Sequence, residues 1–155
     1  MLVRLYDLPD LSPLVAQLKA QGVEIRRVMP PEKGVVSQWV HETFGFAGWR
    51  HECERGIMNT PPSCFLAVEG GNLIGFSCYD ATCRNFFGPL GVHPSQRKRG
   101  LGKALLWVTL RAMQDAGYSY AIVPWVSSQE FYAKAVGAIP IPDSEPGFFK
   151  GMLKV

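Results

Sequence analysis

Nowhere in the 155 residues does an apolar run approach the roughly 20 residues needed to cross a bilayer. The N-terminal stretch, MLVRLYDLPD, has no secretory h-region. No membrane partner is therefore expected, and a cytoplasmic location is. Charge of one sign is equally scarce: the net charge is +3, and no long basic face with interleaved aromatics is available to follow a nucleic acid. The four cysteines, Cys53, Cys64, Cys78 and Cys83, contain no C-x-x-C pair, and His41, His51 and His93 are scattered without the spacing of metal ligands. Buried free thiols and no metal are the expectation, with His93 a turn residue before Pro94. There is no internal repeat or low-complexity segment. With 47% apolar and 19% charged residues the composition argues against disorder, and the length suits one compact core.

Two common phosphate-binding fingerprints are also missing. A Walker A loop needs glycine five residues before a Gly-Lys pair, but Arg97 stands there ahead of Gly102 and Lys103, and no Ser or Thr follows to hold magnesium. A dinucleotide fingerprint needs a third glycine where Leu105 stands, and an acidic residue about twenty positions on, where Ala121 and Ile122 lie in an apolar run.

What is present is SQRKRGLGK, Ser95 to Lys103. NFFGPLGV before it reads as a strand. After it, Leu101, Ala104, Leu105, Val108 and Ala112 recur at helical spacing up to Gly117, a C′ glycine. The cations Arg97, Lys98, Arg99 and Lys103 thus gather at a helix N-terminus, where unpaired N–H groups already carry partial positive charge. An anion resolves that conflict. Gly100 and Gly102 let the backbone close on phosphate oxygens, so the stretch reads as a phosphate cradle rather than a solvated basic turn.

The pattern R-x-x-G-x-G at Arg97 to Gly102, following LGVHP at Leu90 to Pro94, resembles the acetyl-CoA loop of the GNAT superfamily of N-acetyltransferases. A second match lies downstream, where SYAIVPWV reads as the next strand and FYAKAVGA, Phe131 to Ala138, resembles the helix carrying F-Y-x-K-x-x-G. The resemblance runs from about Val23 to the C-terminus and takes in a first strand VEIRRVM, two helical stretches, and a hairpin CFLAVEGGNLIGFSCYD turned at Gly70 and Gly71. It implies a mixed α/β fold: a twisted, mostly antiparallel sheet, splayed at its centre, with helices on both faces. The whole chain is expected to form one such domain, residues 23–155 as the core and 1–22 as an N-terminal extension.

The resemblance further implies an enzyme that moves an acetyl group from acetyl-CoA to a primary amine by direct transfer in a ternary complex. Pro89 lacks an N–H and Gly88 weakens a ladder, so FFGPLGV should bulge and open a slot beside it. By resemblance that slot holds pantetheine, with the Leu90 N–H polarising the thioester carbonyl and the Val92 main chain pairing with the pantetheine amide. Arg97, Lys98, Arg99, Gly100, Leu101, Gly102 and Lys103 form the pyrophosphate loop, while Phe131 and Lys134 serve the core and the edge of the CoA site. Tyr132 is the catalytic candidate: a phenol stays protonated at neutral pH and can donate to the leaving thiolate, or it only holds the sulfur region structurally.

The family often has a carboxylate six residues before Val92, but Phe86 occupies that place, with Asn85 and Phe87 beside it. Asp80, Glu42 and Glu54 remain as bases, as does a water relay. Trp125 stands where many members have Asn. A CoA-binding regulator without turnover is the alternative function, and a nucleic-acid-binding module a more distant one. Trp39, Phe44, Phe46 and Trp49 are either an acceptor wall, with His41, Glu42 and Glu54, or core at helical spacing.

Ahead of the core, Ser12 as N-cap, Pro13 at the first helical position and Gly22 as a stop mark a helix that covers core surface or reaches a partner. The final FFKGMLKV reads as an edge strand, and it or that helix would supply the contact of a homodimer.

Overall fold

A computed structural model of the chain describes residues 1–153. Six strands and five α-helices follow in the order β1 (Leu2–Arg4), α1 (Ser12–Ala20), β2 (Val23–Arg27), α2 (Lys33–Phe44), α3 (Ala47–Ile57), β3 (Cys64–Glu69), β4 (Asn72–Tyr79), β5 (Phe87–Val92), α4 (Leu101–Asp115), β6 (Tyr120–Ile122) and α5 (Gln129–Val136). Strands β2-β3-β4-β5 form an antiparallel sheet, and β1 and β6 form an antiparallel pair. The two sheets touch at one parallel bridge, Phe86 to Ile122. The expected mixed α/β architecture, with its sheet splayed at the centre, is therefore present.

Strand alternation divides the core into two layers. Phe65, Ala67 and Ile74 face α4, together with Leu101, Leu105, Leu106 and Leu110. Leu66, Phe76, Cys64 and Cys78 face α2 and α3, with Val36, Val40 and Ile57. Ser77, fully buried on the α4 face, satisfies its hydroxyl against Thr109 of α4 at 2.6 Å.

Residues 1–22, read as an extension, are built into the core. Val3 and Leu5 are fully buried and Leu18 nearly so. Leu2 pairs with Ile122 on one side and bridges to Ile139 on the other, so β1 lies between β6 and the chain after α5. Three residues with one turn of 3₁₀ helix behind them carry no strand period long enough to read. Helix α1 starts at Ser12 itself, one residue earlier than a Ser12 N-cap implies, with Leu11 as the N-cap, and the Asp10 carboxylate accepts the Ser12 N–H at 2.9 Å. The predicted edge strand FFKGMLKV does not form over its described part. Phe148–Gly151 is turn, no strand pairing involves Met152 or Leu153, and the last two residues lie outside the described region.

Candidate active site

The register of β4 against β5 slips where the sequence expects a bulge. Ser77 stands opposite Leu90 and Tyr79 opposite Phe87, so β5 carries one extra residue, at Gly88 and Pro89. Two bonds fix the main-chain directions on either side. His93 N–H donates to Ile74 O at 2.9 Å, which makes Gly75–Val92 a non-hydrogen-bonded pair; Asp80 N–H donates to Phe86 O at 3.0 Å, which does the same for Tyr79–Phe87. By alternation Leu90 belongs to the same class as Val92. The N–H and C=O of Leu90 and Val92 therefore point away from β4, toward the gap that opens beyond the Phe86–Ile122 bridge.

Beyond the end of β5 the chain enters α4. Gly100, at φ +85°, is the N-cap and Lys98 is also left-handed, at φ +65°. This turn leaves the N–H groups of Leu101, Gly102 and Lys103 without intrahelical acceptors. A Cβ at Gly102 would lie 3.7 Å from Val92 and 3.8 Å from Phe131, so the N-termini of α4 and α5 meet at the end of β5. Arg97 and Lys98 are exposed and Lys103 half-buried, none of them in an ion pair among the described residues. Arg99 is placed differently. Its guanidinium forms a two-pronged pair with Glu69, at 2.7 and 3.0 Å, and also meets Gln96. It ties the loop to the β3–β4 hairpin, and the hydrogen bonds it donates lower the Glu69 carboxyl pKa. Lys134 is exposed on α5 and pairs with Glu130 one turn back.

Tyr132 is buried on α5, edge-on to Phe87 at 6.3 Å and to Phe131 at 5.0 Å. Ser128 caps that helix by accepting the Phe131 N–H at 3.3 Å. The Tyr132 hydroxyl has no hydrogen-bond partner among the described residues, and the side chain as a whole is 8% exposed. Burial pushes its pKa up to about 12.

The three proposed bases are occupied elsewhere. Asp80 accepts from the Asn85 N–H and the Tyr118 hydroxyl, both at 2.7 Å, and thereby holds the β4–β5 loop. Glu42 accepts from Gln38 at 2.7 Å, Glu54 pairs with Arg50 at 3.2 Å, and both line the outer groove between α2 and α3. A carboxylate missed from the sequence, Glu52, points from α3 to that loop instead and accepts from the Thr82 hydroxyl; burial raises its pKa. Its inward turn beside Cys53 was the available signal, hidden by the surrounding charged run RHECER.

Trp39, Phe44 and Trp49 all pack within 6.4 Å of the fully buried Phe76, which makes them core; Phe46 lies at its exposed rim. Gly91 shows how tight that packing is: a Cβ there would come within 2.5 Å of the Phe44 ring. Trp125 is exposed and meets Phe149 at a tilt, ring centres 5.6 Å apart, while Phe148 packs edge-on against Phe86, next to the Phe86–Ile122 bridge.

A splayed sheet with outward main-chain groups on one arm, ending at a glycine-capped helix, is the framework of an acyl-transfer fold. The family model described as "Acetyltransferase (GNAT) family" matches residues 25–138, and the chain belongs to that family. No curated protein sequence matches significantly. Among solved structures, the GCN5-related glucosamine N-acetyltransferase region of a fungal multi-domain β-N-acetylglucosaminidase superposes with a TM-score of 0.70 at 15% identity, covering 87% of this chain and 19% of that one. A GNAT family acetyltransferase from Brucella melitensis in complex with acetyl-CoA gives 0.57 at 16% identity over 72% and 80%. The Drosophila melanogaster polyamine N-acetyltransferase gives 0.58 at 14% over 73% and 79%. The chain spans only 19%, 41% and 43% of the first three structures it matches. At these identities the likeness concerns the fold. Among the described residues, no helix is long and apolar enough to cross a membrane.

Proposed function

We propose that the protein transfers an acetyl group from acetyl-CoA to a primary amine by direct attack within a ternary complex. The observation that carries this reading is the register across β4 and β5, which turns the main-chain groups of Leu90 and Val92 into a gap ending at the α4 N-terminus. Pantetheine lies along that gap, its amide paired with Val92. The thioester carbonyl meets the Leu90 N–H, where developing negative charge is stabilised. The pyrophosphate rests on the Leu101, Gly102 and Lys103 N–H groups, with Arg97, Lys98 and Lys103 as counter-charges. Arg99 serves the loop through Glu69 rather than through the ligand.

The amine attacks as a neutral nucleophile, the carbon–sulfur bond breaks, and CoA leaves as a thiolate. Tyr132 donates a hydrogen bond to that sulfur. Full transfer of its proton, from a pKa of about 12 to a thiolate whose acid is near 8.5, would cost about 5 kcal/mol, so stabilisation by the hydrogen bond is its main contribution. Glu52, half-buried on α3 against the β4–β5 loop with its pKa raised by burial, receives the amine proton through water.

Phe86 in place of a strand carboxylate favours one other reading, a CoA-binding regulator without turnover. Thiol release from acetyl-CoA, measured over a panel of primary amines, separates them. Turnover that Glu52→Gln lowers supports the transferase; CoA binding without turnover on any amine supports the regulator.

A further inference from the structure

Three of the four cysteines, distant in sequence, converge on the sheet face opposite α4. Cys53 comes from the middle of α3, Cys64 opens β3 and Cys78 lies on β4. All three have zero exposure. Their sulfurs lie within 4.8 Å of one another, with Cys53 Sγ 3.9 Å from Cys64 Sγ.

Two features of the chain produce this convergence. Cys64 and Cys78 stand directly opposite each other in the β3–β4 ladder. Tyr79 N–H donates to Ser63 O at 2.9 Å, which marks them as a non-hydrogen-bonded pair, the kind whose side chains approach most closely. Helix α3 then lays Cys53 over the pair. The helix passes the pair closely at Gly56, where a Cβ would stand in van der Waals contact, 3.4 Å from Cys78 Sγ and 3.5 Å from Ser63 Oγ.

Three sulfurs held at about 2.3 Å from one ion lie about 4 Å apart, within about 1 Å of the separations here. We propose that Cys53, Cys64 and Cys78 form a closed three-thiolate site for one thiophilic d10 cation. Cuprous copper fits the donor count, since it accepts three soft sulfurs, whereas tetrahedral zinc asks for a fourth ligand. The nearby Ser63 hydroxyl is already engaged with Asn59 Nδ2 and Gly56 O. Each thiol gives up its proton as its sulfur–metal bond forms, so one ion displaces up to three protons and offsets thiolate charge that Val40, Ile57, Leu66 and Phe76 would otherwise leave unsolvated. Enclosed on all sides, the ion is structural and pins α3 to the β3–β4 hairpin. Scattered spacing with no C-x-x-C pair hid the site from a sequence reading.

The test refolds the full chain anaerobically with cuprous copper or with zinc, desalts it, and measures retained metal by native mass spectrometry and X-ray absorption. One ion per chain with three sulfur neighbours, and a raised thermal midpoint, is the expected result for at least one of the two metals. Cys53→Ser should weaken binding about 100-fold or more, and Cys83→Ser should leave it unchanged. If Cys53→Ser fails to fold, the sulfur count in the wild-type protein decides. A folded chain that retains neither metal, fewer than three sulfur neighbours, or retention undiminished in a folded Cys53→Ser variant would overturn the proposal.

Discussion

Burial holds the Tyr132 phenol protonated to a pKa of about 12, against about 10 in an unfolded chain, and this has consequences for both stability and catalysis. Because the folded pKa is raised, the associated stability is complete below pH 10 and is lost as pH rises toward 12. Tyr132→Phe should therefore lose less stability than the wild type between pH 10 and 12, by up to about 3 kcal/mol, in denaturant titrations at stepped pH. At neutral pH the same variant should lower turnover at least tenfold while CoA affinity, read by calorimetry, stays unchanged. Equal turnover removes the phenol from the mechanism. Glu52 has the opposite balance of costs. Its raised carboxyl pKa means that ionisation at neutral pH works against folding, so Glu52→Gln should raise the thermal midpoint while reducing turnover and removing the acidic limb of its pH profile. An unchanged acidic limb assigns the base elsewhere.

Between elements, β5 is held closely on one face and open along one edge. Gly91 accepts the Phe44 ring on that face, and the main-chain groups of Leu90 and Val92 point to the gap along the edge away from β4. Gly91→Ala forces Phe44 and Phe76 apart and should cost about 1–3 kcal/mol in chemical denaturation, because an overpacked core answers by displacement. A destabilisation below that range would mean that α2 can slide away from the strand. The β1–β6 pair makes a second element-scale prediction. Deleting residues 1–4 removes the partner of both Ile122 and Ile139, and should lower the thermal midpoint and increase amide exchange in β6. Unaltered exchange would show that β6 holds to β5 by its single bridge.

At the level of the whole molecule, most of the fold was legible because its signals are local. The Gly70-Gly71 turn, the helical period from Leu101 to Gly117 and the bulge at Gly88-Pro89 each depend on residues close in the chain. What was not legible depends on partners far away. The three-residue β1 becomes a strand only because β6 and Ile139 flank it, and the pairing of the Arg99 guanidinium with Glu69, 30 positions earlier, leaves no local sign. Glu52 and the cysteine cluster escaped notice for the same reason, since Thr82 and the β3–β4 register supply their surroundings. The aromatic segment from Trp39 to Trp49 had two readings, and packing on Phe76 makes Trp39, Phe44 and Trp49 part of the core while Phe46 stays exposed.

Calorimetric titration of the wild type and Gly102→Asp with CoA tests the central claim, that the gap ends in a pyrophosphate cradle. A Cβ at Gly102 meets nothing closer than 3.7 Å, and a carboxylate in the first turn of α4 interacts favourably with the helix dipole, so the variant is expected to keep its fold and its thermal midpoint. That same carboxylate occupies the place of the anion. Micromolar binding by the wild type, abolished in the equally stable variant, is the predicted result, whereas undiminished binding by Gly102→Asp would contradict the account.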